Sequence, residues 1–238
     1  MSTLDELFAS KQPIAHLYKD KNKTRYANKI LVLTDSGYKE VQSFPGLKIQ
    51  FNGGGGNLIK IHESVRITGS LNISLGSDNL VIFNKGCAFK RLNVVFGKAN
   101  KSSCIFGHNV EAMDLKIYAG REDGLETIIG NNTIIARGTT IRMSDGHSIL
   151  YEGKIINKPV FGVHIGNHVW IAQDVLCLKD STIPSGCVVG AKACINKSNY
   201  LQNSLIVGIP AKVIKQNVEW NWKSYRDLTR HNSSCARK

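Results

Sequence analysis

The chain has 238 residues, enough for one domain or two, and 42% of them are hydrophobic. Thirty-one Lys and Arg residues against eighteen Asp and Glu give a formal net charge of +13, which calls for an anionic partner such as a phosphate-bearing cofactor or an acidic glycan. No RNA- or DNA-binding signature accompanies that charge and no apolar run is long enough to span a bilayer, so neither nucleic acid nor a membrane span is expected.

The first residues, Met1-Ser-Thr-Leu-Asp-Glu6, lack the apolar core of a secretory signal. Cys87, Cys104, Cys177, Cys187, Cys194 and Cys235 form no C-x-x-C pair and are expected to be reduced, as in a cytoplasmic protein. Residues 1 to about 50 show no six-residue period. Short strands are expected at Ile30-Leu-Val-Leu33 and Val41 to Phe44, with a basic, solvated segment from Lys19 to Lys29. Asn52-Gly-Gly-Gly-Gly-Asn57 reads as a turn that closes an N-terminal extension of residues 1–57; no Gly-Lys-Ser/Thr follows to make it a phosphate loop.

A long repeat then begins. Ile82-Phe83, Ile105-Phe106 and Ile128-Ile129 are 23 residues apart (105−82, 128−105), and Leu92-Asn-Val94 answers Leu115-Lys-Ile117 inside those rows. Gly97 and Gly120 follow at matching offsets, and Leu71-Asn-Ile73 with Gly76 is an earlier copy. Each row reads as an eighteen-residue coil plus a short loop after the glycine, and solenoid insertions gather on one face.

From Ile165 the period becomes six: Ile165, Ile171, Cys177, Ile183, Val189, Ile195, Leu201, Val207 and Val213 are all apolar. Six fits neither a helix nor a lone alternating strand; it is the period of a three-sided parallel β-helix, three hexads to a coil. Ile165 comes 36 residues after Ile129 (165−129), so about eighteen leave the coil as a loop at about 143–163 carrying Ser144-Asp-Gly-His-Ser148. Chemistry concentrates on long loops held by rigid scaffolds, which singles out His147. After Ile214 the hexads stop. Gln216 to Arg230, with Trp220, Trp222, Tyr225 and Leu228, is expected to form a short helical cap over the open end, followed by a tail from His231.

These residues resemble the hexapeptide-repeat acetyltransferases. The resemblance rests on Ser144-Asp-Gly-His-Ser148, Val163-His-Ile-Gly-Asn-His-Val-Trp-Ile171, Val189-Gly-Ala-Lys-Ala193 and Val207-Gly-Ile-Pro-Ala-Lys-Val-Ile214, in that order and register. Its nearest forms in motif are the galactoside, maltose and bacterial capsule O-acetyltransferases. The resemblance, close over Ile128 to Ile214, implies an all-β, left-handed parallel β-helix over 58–214; residues 1–57, which match nothing in that family, are expected to form an N-terminal β extension, and 215–238 a helical cap and tail. It also implies an acetyl-CoA-dependent O-acetyltransferase of the bacterial cytoplasm, a homotrimer with sites between subunits, acting on a capsular, anionic sugar polymer or its sugar unit, here expected to contain sialic acid.

Within that family the loop histidine is the general base, a role that falls to His147. Deprotonating an attacking hydroxyl suits an imidazole, whose unperturbed pKa is about 6.5. Asp145 either orients that ring or merely forms the turn. Trp170 falls where the capsule-modifying relatives line the acetyl path. Positions matching the cofactor contacts are Ala172, Gln173, Ala191, Asn196, Lys197, Lys212 and Lys215, the lysines serving the phosphates. Acetyl-CoA is thus the implied donor, with no metal. His164 and His168 read as structural. An acyl-enzyme would need a nucleophile such as Ser144, Ser148 or Cys177. The alternatives are an N-acetyltransferase on an amino-sugar nucleotide or other small acceptor, a zinc lyase using some of His108, His147, His164 and His168, and a non-catalytic scaffold.

Overall fold

The computed structural model describes residues 27–228. Most of the basic segment from Lys19, the tail from His231 and Cys235 lie outside them. The rest is a three-sided parallel β-helix. Side one stacks Leu58–His62, Leu80–Phe83, Ser103–Phe106, Glu126–Ile129, Gly162–Ile165 and Ser181–Ile183, each pairing parallel with the next. Side two carries Ile134–Ile135, Trp170–Ile171, Val188–Val189 and Leu205–Val207. Side three carries Thr139–Arg142, Leu176–Cys177 and Cys194–Ile195. In the lower coils, Arg66–Leu75, Ala88–Val95 and Glu111–Tyr118 run through the corner between sides two and three.

The repeat folds this way because its apolar hexad positions point inward. Ile165, Ile171, Cys177, Ile183, Val189 and Ile195 are all fully buried. In the wider lower coils Phe83 stacks on Phe106 at 5.0 Å and Phe89 meets both edge-on, filling the axis with rings. The corners need a left-handed residue once per turn, so Asn109, Asn132, His168, Asp174, Asp180, Lys192 and Asn203 all have φ between 52° and 60°.

The six-residue register fails in the last coil. Val189 pairs with Ile206, seventeen residues on instead of eighteen, so Ile206 and Tyr200 turn inward while Leu201 is 54% exposed. One residue is missing from that coil, and a one-residue slip exchanges the two faces of a strand. Val207 and Val213 are accordingly only half-buried.

The N-terminal strands stack on the coil. Lys29–Thr34 pairs parallel with Leu58–His62, and Leu47–Phe51 pairs parallel with Leu71–Leu75, so they supply sides one and three of a first rung. The second short strand is Gly37–Val41, antiparallel to the first, and not Val41 to Phe44; Leu47–Phe51, whose Leu47, Ile49 and Phe51 alternate with polar residues, is a third strand not among those expected from the sequence.

The C-terminal segment departs from the expected end cap. Lys212–Lys215 turns back antiparallel on Leu205–Val207 and covers the last edge of side two. The chain then descends along the corner between sides one and two: Val218 N donates to Asn203 O, and the Trp220 ring stacks on His168 at 4.3 Å with Nε1 donating to His168 O at 2.8 Å. A single helical turn at 225–228 follows. The tryptophans therefore seal a flank of the coil, where the planar His168 ring offers a matching surface, and the edge of side two is covered by a strand.

Candidate active site

Loops leave the coil at one corner, between sides three and one. Gly76, Gly97 and Gly120 lie there, and the long excursion leaves after Met143 in the next coil up: a side chain on Gly120 would strike Ser144. The excursion is a hairpin of Leu150–Tyr151 and Lys154–Ile155. Its return is fastened where Asp180 accepts hydrogen bonds from the backbone of Val160 (2.7 Å) and Phe161 (3.0 Å). Gly162 re-enters the coil at φ +109°, and any Cβ there would collide with the Glu126 carbonyl.

His147 sits exposed near the start of this loop. The residue that shapes its surroundings is Asn157. Its Nδ2 donates to the His147 carbonyl and to Asp145 Oδ2, both at 2.8 Å, and its Oδ1 accepts from Ile149 N at 2.7 Å. Asp145 faces Lys179 at 2.7 Å and makes no hydrogen bond with the His147 ring. Partial burial opposes ionisation of Asp145, but hydrogen bonds from Lys179 and Asn157 and the charges of Lys179 and Arg142 outweigh it and hold the carboxyl below its usual range. Asp145 thus anchors the loop's base. Sequence reasoning missed Asn157 and Lys179; the one signal for Asn157 was an amide in the same loop ten residues after His147.

Trp170 lies elsewhere in the chain. It stands 42% exposed on side two, the side opposite the corner from which the His147 loop leaves. Ala172 and Gln173 follow at the corner between sides two and three, with Ala191 in the coil above: Ala172 N donates to Val189 O, and Lys192 N to Gln173 O. Lys212 and Lys215 extend this group on the closing strand, Lys212 opposite Val207. Asn196 and Lys197 instead share the His147 corner, where Thr182 N donates to Lys197 O and the Lys197 ammonium lies 5.2 Å from the Tyr200 ring. The expected site residues therefore fall into two separate groups on the chain, His147 with Asp145, Asn196 and Lys197 at one corner, and Trp170 with Ala172, Gln173, Ala191 and Lys212 away from it.

Two of the three nucleophile candidates are poorly placed. Cys177 points into the coil, and burial pushes its thiol up to about 12; Ser144 is buried at the loop's root, and only Ser148 is exposed. The four histidines do not converge: His164 is buried against Glu126 at 2.8 Å, His108 and His168 lie on the corner between sides one and two, and His147 is on its loop.

No protein-family model matches the chain. Over 172 residues it is 31% identical to the polysialic acid O-acetyltransferase of Neisseria meningitidis, a match covering 63% of this chain and 79% of that one. The chain belongs to the polysialic acid and related hexapeptide-repeat O-acetyltransferases. The polysialic acid O-acetyltransferase of Escherichia coli O1:K1 / APEC is 30% identical over 152 residues, 58% of this chain and 49% of that protein, so the chain spans about half of that relative's length. The crystal structure of the polysialic-acid-specific acetyltransferase NeuO superposes with a TM-score of 0.64 at 27% identity, over 80% of this chain and 87% of that one. The coil is thus the left-handed β-helix of the hexapeptide transferases, and the protein is an O-acetyltransferase.

Proposed function

We propose that this O-acetyltransferase moves acetyl from acetyl-CoA to a hydroxyl of an anionic, sialic-acid-containing capsular polysaccharide in the bacterial cytoplasm. The observation that carries the reading is the Asn157-pinned loop that holds out His147, in a chain whose curated relatives are named for polysialic acid O-acetylation. The His147 imidazole takes the acceptor's proton as its oxygen attacks the thioester carbonyl. The resulting oxyanion collapses, the C–S bond breaks, and the imidazolium returns the proton to the departing thiolate. Main-chain N–H groups near Ala172 or Ala191 stabilise the oxyanion. The transfer is direct, in keeping with the buried positions of Cys177 and Ser144.

His147 and Trp170 stand on opposite sides of the β-helix, in successive coils, and the reading unites them between neighbouring subunits of a homotrimer. Around His147 the hairpin exposes Ile149, Leu150, Tyr151, Ile155 and Ile156, each more than half exposed, an apolar surface that a second copy would cover. In that assembly Trp170 lines the acetyl path while Gln173, Asn196, Lys197, Lys212 and Lys215 contact the cofactor. The test is thiol release from acetyl-CoA with sialic-acid polymer as acceptor. His147→Ala should lower turnover by roughly 10²–10⁴-fold while acetyl-CoA still binds; more than about a tenth of the wild-type rate would exclude the general-base role.

A further inference from the structure

Among the described residues, the C-terminal segment covers the corner between sides one and two only in its upper coils. Below the stacked His168 and Trp220 rings lies a groove of about 760 Å³, with Trp222 in its wall. Its floor and walls include Arg66, Lys85, His108, Asn109, Asn132 and Trp222. Arg66, Lys85, His108, Asn109 and Asn132 are exposed, Trp222 is 46% exposed, and among the described residues no ion pair engages Arg66 or Lys85. Glu111 is the one carboxylate in the lining.

The groove leads towards the proposed acetyl path. On side two, Arg66 pairs with Ala88, Ala88 with Glu111, Glu111 with Ile134 and Ile134 with Trp170. Four strand spacings at ~4.8 Å separate Arg66 from Trp170, roughly 19 Å, enough for several sugar units in file. Trp222 lies 5.4 Å from Trp220, and Trp220 lies 6.3 Å from Trp170, so aromatic surface bridges the two. We infer that this groove is an extended subsite for a carboxylate-bearing polysaccharide, holding the units beside the one being acetylated.

The chemistry of the lining matches such a ligand. Exposed Arg and Lys attract carboxylates at a spacing set by the coil; asparagine amides both donate to and accept from hydroxyls; and an indole face suits the apolar face of a sugar ring. Glu111 accepts from hydroxyls and repels a carboxylate placed next to it, which sets the register of the chain in the groove. The C-terminal tail, His231-Asn-Ser-Ser-Cys-Ala-Arg-Lys238, is a poor competitor because its charge has the groove's own sign.

This inference rests on the anionic acceptor proposed above, and binding separates the two. A long, end-labelled sialic-acid polymer is titrated against the full chain without acetyl-CoA, and kinetics are compared for that polymer and for a disaccharide acceptor. The double variant Arg66→Ala/Lys85→Ala should weaken polymer binding and raise its KM roughly tenfold, two exposed ion pairs' worth, with disaccharide kinetics unchanged. Trp222→Ala should act likewise, and Glu111→Gln should tighten binding severalfold. Unaltered polymer affinity in the double variant, equal losses for the disaccharide, or no polymer binding by the wild-type chain would each overturn the groove. Groove-dependent binding without any acetylation of the polymer would overturn the proposed acceptor and leave the groove standing.

Discussion

Asn157→Ala is the substitution that best tests how the loop works. The amide makes three hydrogen bonds, at 2.7–2.8 Å, to the His147 carbonyl, the Asp145 carboxylate and the Ile149 N–H. Each lies near solvent, so each is credited with about 0.5 kcal/mol, the low end of the usual net value. Together they amount to ~1.5 kcal/mol, or about tenfold in the fraction of molecules whose loop is poised. Turnover should fall by about that factor, well short of the loss expected for His147→Ala. The coil's melting temperature should move by less than ~2 °C, because the bonds lie within the excursion and its root and not in the core. Asn157→Asp should be worse than Ala, since it exchanges a donor for a second carboxylate beside Asp145. Steady-state rates, with protease nicking of the hairpin as a separate measure of loop order, decide the matter. Wild-type turnover alongside freely nicked loops would refute the claim that loop order positions His147. A large fall in melting temperature would refute the claim that the excursion is independent of the coil.

Other consequences are as direct. Trp170→Ala should cut kcat/KM with acetyl-CoA by ten-fold or more while leaving chemical stability nearly unchanged, because the ring is exposed and lies outside the coil's core; an unchanged rate would remove it from the acetyl path. Gly162→Ala should destabilise the coil by about 2–4 kcal/mol, given its φ of +109° and the Glu126 carbonyl that a Cβ would meet, and a denaturant midpoint equal to wild type would contradict this. For Asp145 the sign follows from its lowered pKa: the native state favours the ionised form, so its contribution is whole above the ordinary value of 3.8 and is lost as pH falls through the lowered native value. Cleavage of the exposed hairpin by an acid protease should therefore accelerate only below about pH 4, and acceleration starting near pH 6 would point to a different group. Lys212→Ala should raise KM for acetyl-CoA more than it lowers kcat; an equal KM would take it out of the phosphate contacts.

Much of this protein was legible in its amino-acid order. A six-residue apolar period admits few folds, because inward positions must recur once per side, and Ile165, Ile171, Cys177, Ile183, Val189 and Ile195 are buried as that period requires. The shared corner of the loops after Gly76, Gly97 and Gly120 followed from the glycine offsets, and the excursion that carries His147 from the spacing of Ile129 and Ile165. Local order could not reveal the missing residue in the last coil: Leu201 and Val207 are as apolar as their predecessors, and only the pairing of Val189 with Ile206 turns them aside. Nor could it show that Asn157 and Lys179 hold Asp145, since those contacts join residues brought together by the hairpin and by the next coil. Tertiary structure alone decided that the tryptophans lie along a flank, with Trp222 in the wall of the groove, because His168 offers its ring there through a corner fixed by φ of 52°. It also decided that His147 and Trp170 stand on opposite sides of the β-helix. Sequence period fixes which way a side chain points relative to the axis, whereas the distance between two outward-pointing residues depends on how many corners lie between them.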